Sequence, residues 1–294
     1  MFERLLVTTD LSVASENLLK CLGRFRQLGA QDVTLIHVAD IRDAAGLYAS
    51  IFDLIRPRMA QLECILHSAG YTTHIEIPAG NPSREIRRVS EKSDYSAVVV
   101  GTHGGSLAKD VLLGSVAHNL LETVRKPVFL FPFNILAENE EERCKVICGN
   151  LFKHVLFATD FSDTAEKAAK YLLNIVNEVH PEITLFHVQH PPHGDPHSTG
   201  KAGEHHDRAD LDRLGEMKNR ILEAGAVDVH IEVAIGRPAK LIVEKANSGT
   251  YSLLVMGNQG HGYLVDTLLG REAHYVVHHA DVPLLLVPLA SRED

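Results

Sequence analysis

The chain has 294 residues, 45% of them hydrophobic and 23% charged, which suits two globular domains of about 150 residues, each able to bury a core. Its net charge of −9 weighs against a general nucleic-acid or anionic-membrane binder, and no apolar run approaches the roughly 20 residues that span a bilayer. The four cysteines (Cys21, Cys64, Cys144, Cys148) form neither a disulfide framework nor a Cys-x-x-Cys redox motif, and the N-terminus enters a strand pattern directly, so a reduced, cytoplasmic protein without a signal peptide is expected.

Residues 4–10 read as a buried strand ending on Asp10. Ser12 is an N-cap for a helix with Leu18, Leu19, Leu22 and Phe25 on its apolar face, closed by Gly29. Residues 33–38 form a second strand. A long helix follows over about 47–67, with a kink or break expected at Pro57. Residues 72–77 alternate as a third strand, and Gly80-Asn81-Pro82 turns into a helix with Ile86 and Val89 inward. Residues 98–100 are a fourth strand, 115–124 a fourth helix, and 127–132 a fifth strand with a proline at each end. The alternation predicts an α/β fold, a doubly wound five-stranded parallel sheet with helices on both faces. With strand order 3-2-1-4-5, Asp10 and Gly101 face one crevice at the carboxyl ends of the strands.

The pattern occurs twice. Gly101, Asp110, Gly114 and His118 recur as Gly257, Asp266, Gly270 and His274, at a constant offset of 156. Asp10 recurs as Asp160 at an offset of 150, so six net residues enter between Val188 and Gly236, in the turn-rich stretch after His190. The expected organisation is a first domain over 1–133, a linker over 134–151 whose glutamates are solvated, and a second domain over 152–294.

The glycine-rich loop between the fourth strand and fourth helix is a plausible phosphate cradle, with open N–H groups and a partial positive charge at the helix start. The ordered set Gly101, Gly104, Gly114, Ser115, with Asp10 after Thr8-Thr9, resembles the nucleotide motif of the universal stress protein family in its tandem two-domain form. In ATP-binding members the first-strand Asp contacts the ribose, neighbouring strand ends frame the adenine, and the glycine loop and helix start hold the phosphates. The resemblance therefore implies Thr8, Thr9, Asp10 and Val38 for the nucleoside and Gly101, His103, Gly104, Gly114, Ser115 and Val116 for the phosphates. In the second half it implies Ala158, Thr159, Asp160, Val188, Gly257, Gln259, Gly260 and Gly270. There Arg271 and Glu272 stand where the motif wants Ser or Thr and its neighbour, and Glu272 repels polyphosphate, which ranks the first site as the better ATP site. Family members also pair through their fifth strands, so pairing of the two halves or a homodimer is implied.

Each feature has a plainer reading. Asp10 and Asp160 suit helix capping as well as a ribose, and His37, His187, His118 and His274 read as shared packing or hydrogen-bonding positions. The histidines from His190 to His206 suggest zinc only by composition. No catalytic residue and no structural metal site is assigned. The functional expectation is a cytoplasmic, adenine-nucleotide-binding stress-response protein, taking ATP or AMP with Mg²⁺ as accompanying cation, and acting as sensor or regulator rather than enzyme. Alternatives are a slow ATPase or phosphotransferase, for which no P-loop lysine or kinase loop is present, and an interaction or zinc-binding module with residual nucleotide binding.

Overall fold

The computed structural model describes residues 1–40, 48–92, 94–102, 113–137, 141–189, 208–260 and 269–289. The first half contributes strands β1 (Arg4–Thr8), β2 (Asp32–Ile36), β4 (Thr72–Glu76), β6 (Ala97–Gly101) and β7 (Val128–Phe131). They lie parallel in the spatial order β4-β2-β1-β6-β7. The second half repeats that arrangement with β8 (His154–Ala158), β9 (Glu182–Gln189), β10 (Asp228–Ile235), β11 (Leu253–Gly257) and β12 (Leu284–Val287), in the order β10-β9-β8-β11-β12. Both halves thus have the expected doubly wound order 3-2-1-4-5. Two short strands, β3 (Ala39–Asp40) and β5 (Ala79–Gly80), pair with each other beyond the ends of β2 and β4.

The fifth strands meet. β12 pairs antiparallel with β7 (Leu285 opposite Phe129), which fuses the halves into one ten-stranded sheet. Pairing within the chain covers one edge of each half, that of β7 and that of β12.

Alternation along the strands divides the apolar side chains between the two faces of this sheet. Leu5, Val7, Phe129, Val155 and Leu285 join one cluster with residues of α1 (Val13–Cys21), α2 (Tyr48–Ser68), α7 (Asp163–Val179) and α8 (Arg208–Glu223). Leu6, Val98, Leu130, Leu156 and Leu284 join the other with α3 (Pro82–Lys92), α4 (Ser115–Thr123), α9 (Pro238–Ala246) and α10 (Arg271–His279). Each cluster runs through both halves. Phe25 packs edge-on against Phe152 across the junction, with ring centroids 5.5 Å apart.

Local signals explain the boundaries. Ser12 and Ser162 cap α1 and α7 through their side chains. α1 tightens at Leu22 into a 3-10 helix over Leu22–Leu28 that contains Gly23 and ends on left-handed Gly29 (φ 81°). α2 runs continuously through Pro57, so of the expected kink or break the break does not occur. Among the described residues, no helix is long and apolar enough to cross a membrane.

The segment after β7 departs from the expectation of a solvated linker. It folds as α5 (Phe133–Leu136) and α6 (Glu141–Gly149), with Ile135, Leu136, Cys144, Cys148 and Leu151 buried. Glu142 stays exposed while the other face of α6 packs on α1. That packing joins Cys21 to Cys148 in a disulfide (Cα atoms 4.7 Å apart), where the spacing implied none. Cys144 Sγ lies 3.8 Å from Cys21 Sγ and 3.6 Å from Cys148 Sγ.

Candidate functional site

Each half carries a crevice at the carboxyl ends of its strands, between the first and fourth strands, where the strand order reverses. Its floor is the first-strand end. Thr8 and Thr9 are buried, and Thr9 Oγ1 accepts from Leu11 N at 3.0 Å, holding Leu11 at φ 67°. The second half repeats this: Thr159 Oγ1 accepts from Phe161 N at 3.1 Å, and Phe161 sits at φ 61°. Left-handed backbone is costly for such residues, so its recurrence marks a turn held by its surroundings. The turn reverses the chain from strand to helix and leaves an aspartate at the mouth of each crevice.

The two aspartates brace the serines that cap α1 and α7, and the capping bonds themselves come from Ser12 and Ser162. Asp10 Oδ1 accepts from Ser12 N (3.1 Å), Ser12 Oγ (2.6 Å) and Ser15 Oγ. Asp160 Oδ1 accepts from Ser162 N (3.0 Å) and Ser162 Oγ (2.6 Å). These bonds orient each carboxylate, and both residues still line their cavities.

The recurring histidines have a defined task. His37 Nδ1 lies 2.9 Å from Thr9 O, and His187 Nδ1 lies 2.8 Å from Thr159 O. A carbonyl only accepts, so Nδ1 carries the proton in both rings. In the second half His187 Nε2 is also 3.2 Å from Asp210 Oδ2, which accepts from Gln189 Nε2 at 2.8 Å.

The opposite wall is the helix that follows the fourth strand. Gly114 N donates to Thr102 O at 2.6 Å and Gly270 N to Asn258 O at 2.7 Å, tying each helix start to the strand end before it. Gly114 and Gly270 are the N-caps of α4 and α10, and neither helix has a side-chain cap. Their first N–H groups and the positive end of the helix dipole face the crevice, an arrangement that favours an anion.

The cavities differ in size. The first encloses about 270 Å³ and the second about 760 Å³. Thr8, Thr9, Asp10, Val38, Gly101, Gly114, Ser115 and Val116 all line the first. His103 and Gly104 lie outside the described residues, as does the histidine-rich stretch from His190 to His206. Ala158, Thr159, Asp160, Val188, Gly257, Gln259, Gly260 and Gly270 all line the second. Sequence reasoning did not include Phe161, Asp210 and Arg213, which also line it. The Arg213 guanidinium stands 4.1 Å from the Phe161 ring centre, and that ring is 4.8 Å from His187. The recurrence of an apolar residue directly after each first-strand Asp (Leu11, Phe161) was the available signal.

Beside Arg271, Glu272 lines the second cavity. Its Oε2 accepts from Ala239 N at 2.8 Å, at the N-terminus of α9. That bond holds the carboxylate against a neighbouring helix start, and its charge still borders the cavity. The glycines also have mixed reasons. A Cβ on Gly257 would overlap Thr164 Oγ1 and come within 2.9 Å of Ala165 N, so the close approach of α7 demands glycine there. A Cβ on Gly260 would come within 2.7 Å of Asp160 Oδ2, which places this loop against the aspartate.

Fold and crevices together define a tandem doubly wound α/β protein with a crevice in each half walled by a glycine-capped helix start. The sequence profile of the universal stress protein family matches residues 1–132 and again 151–288, and the chain belongs to that family. A universal stress protein of Mycolicibacterium smegmatis is 26% identical over 302 residues, covering 96% of each chain. One from Methanocaldococcus jannaschii is 28% identical over 153 residues, covering 44% of this chain and 94% of its own. The crystal structure of a universal stress protein from Archaeoglobus fulgidus superposes with a TM-score of 0.74 at 26% identity, covering 98% of both chains.

Proposed function

We propose that this universal stress protein binds an adenine nucleotide in each half and acts as a nucleotide-dependent regulator in the stress response. The observation that carries the reading is the meeting, in both crevices, of an oriented aspartate and a helix start without a side-chain cap. Asp10 and Asp160 suit a ribose hydroxyl, and the starts of α4 and α10 suit phosphate oxygens. Ile36 and Val38 in the first crevice, and Phe186 and Val188 in the second, give a purine an apolar seat. The first half keeps the full glycine and serine motif. The second offers more room and Arg271, but also the Glu272 carboxylate, which leaves the first as the better site for ATP.

The test is a count. Protein purified without added ligand is denatured, and released nucleotides are identified by chromatography and mass spectrometry. Gly114→Glu and Gly270→Glu place a carboxylate at each helix start and are each expected to remove the nucleotide of that half alone. Absence of nucleotide in the wild type, together with no rise in melting temperature on adding ATP or AMP, overturns the proposal. Turnover of ATP that is lost in Asp10→Ala would move the reading from regulator to enzyme.

A further inference from the structure

Beside the seam between β7 and β12, α4 and α10 bring three imidazoles together. His118 is the fourth residue of α4 and His274 the fourth of α10, the same position of the repeat. His278 lies one turn beyond His274, on the same face of α10. One ring nitrogen from each of the three lies within 4.8 Å of the others. Ring centres are 5.6 Å apart for His118 and His274, 6.4 Å for His118 and His278, and 4.5 Å for His274 and His278. Glu122, one turn beyond His118, sends Oε1 to within 3.4 Å of His118 Nε2. The two helices therefore oppose a His-x3-Glu pair to a His-x3-His pair.

We propose that His118, His274 and His278 bind a divalent transition-metal ion, with Zn²⁺ the best-matched class. Three imidazole nitrogens with a solvent oxygen in the fourth position are a zinc-type donor set. Ligation at Zn–N distances of about 2.0–2.1 Å sets neighbouring nitrogens about 3.4 Å apart in a tetrahedron. No pair need close by more than about 1.4 Å, a shift on the scale of a change in side-chain torsion. His274 is exposed and His118 and His278 half-buried, so an ion reaches the site from solvent. None of the three histidines lines either crevice, which end one residue earlier at Ala117 and Ala273. The site is therefore distinct from the proposed nucleotide sites and does not depend on them.

The full chain, stripped with chelator, is titrated with Zn²⁺ by calorimetry, and Co²⁺ is used as a spectroscopic probe of the ligands. A single high-affinity equivalent is expected, with a Co²⁺ spectrum of nitrogen and oxygen ligation and no thiolate charge-transfer band. His118→Gln, and separately His278→Gln, is expected to weaken binding by at least about tenfold and to abolish the zinc-induced rise in melting temperature. Circular dichroism of the metal-free variants checks that they fold. Two other parts of the chain hold possible ligands, the cluster of Cys21, Cys144 and Cys148 and the histidines from His190 to His206. Cys144→Ser and a combined His193→Ser, His197→Ser, His205→Ser variant are expected to retain the site. Wild-type zinc affinity in His118→Gln, loss of binding only in the cysteine or loop variants, or no binding in the wild type overturns the proposal.

Discussion

His154 shows how one side chain sets a pH limit. It opens β8, with Nε2 3.1 Å from Thr184 Oγ1, Nδ1 3.8 Å from Glu182 Oε2, and its ring 4.7 Å from that of Tyr251. Burial holds its imidazole below the ordinary value, against the pull of Glu182 and Glu232 and with the push of His230 and Lys245. The folded chain thus prefers the neutral ring more than the unfolded chain does. Its contribution to stability is complete above the unfolded value near 6.5 and is lost as pH falls through that value toward the folded one. Melting temperature followed from about pH 7.5 to 5.5 should fall more steeply in the wild type than in His154→Gln, and parallel curves would refute this. At the same scale, legibility was uneven. Every described residue expected in the crevices lines them. The bond from Ala239 N to Glu272 was hidden, because nothing local to the motif reports the neighbouring helix start. Gly257 was read as a phosphate contact, yet its lack of a Cβ is already required by Thr164 and Ala165.

At the scale of elements, periodicity and turn residues located the strands of both halves, and the family resemblance implied pairing of fifth strands, between halves or between chains, of which β7 and β12 make the first. The fold of 133–151 was not legible. Its charge run marks a solvated face, and the buried face of α6 becomes visible only once α1 is there to cover it. The disulfide follows from that contact, linking residues 127 apart in sequence. Closing so long a loop restricts the unfolded chain, so Cys148→Ser should lower unfolding free energy by about 2–4 kcal/mol in oxidising buffer. Reductant should produce the same loss in the wild type and no further loss in the variant. The exposed Cys64 gives the control, since Cys64→Ser should leave stability unchanged. The meeting of His118 with His274 escaped the repeat for the same reason. Sequence aligns the two positions but does not say that α4 and α10 touch.

The whole molecule is a repeat in sequence and a single sheet in space. Its two apolar clusters are divided by sheet face, and each draws on both halves. Unfolding one half would expose the inner side of both clusters and the edge of β7 or β12. Calorimetry and circular dichroism should therefore record one coincident transition, with van't Hoff and calorimetric enthalpies in agreement. Two resolved transitions would show that the seam is weaker than its burial implies. The antiparallel seam also reverses strand polarity, so the two crevices open toward opposite ends of the sheet. They are separated laterally by four strand spacings, about 19 Å. That exceeds the Debye length of about 8 Å at physiological salt. Two anionic ligands bound at once would scarcely sense each other's charge, and filling one mouth leaves the other unobstructed. The two proposed sites thus stand back to back on one sheet, and communication between them must travel through the sheet or its helices rather than through the solvent.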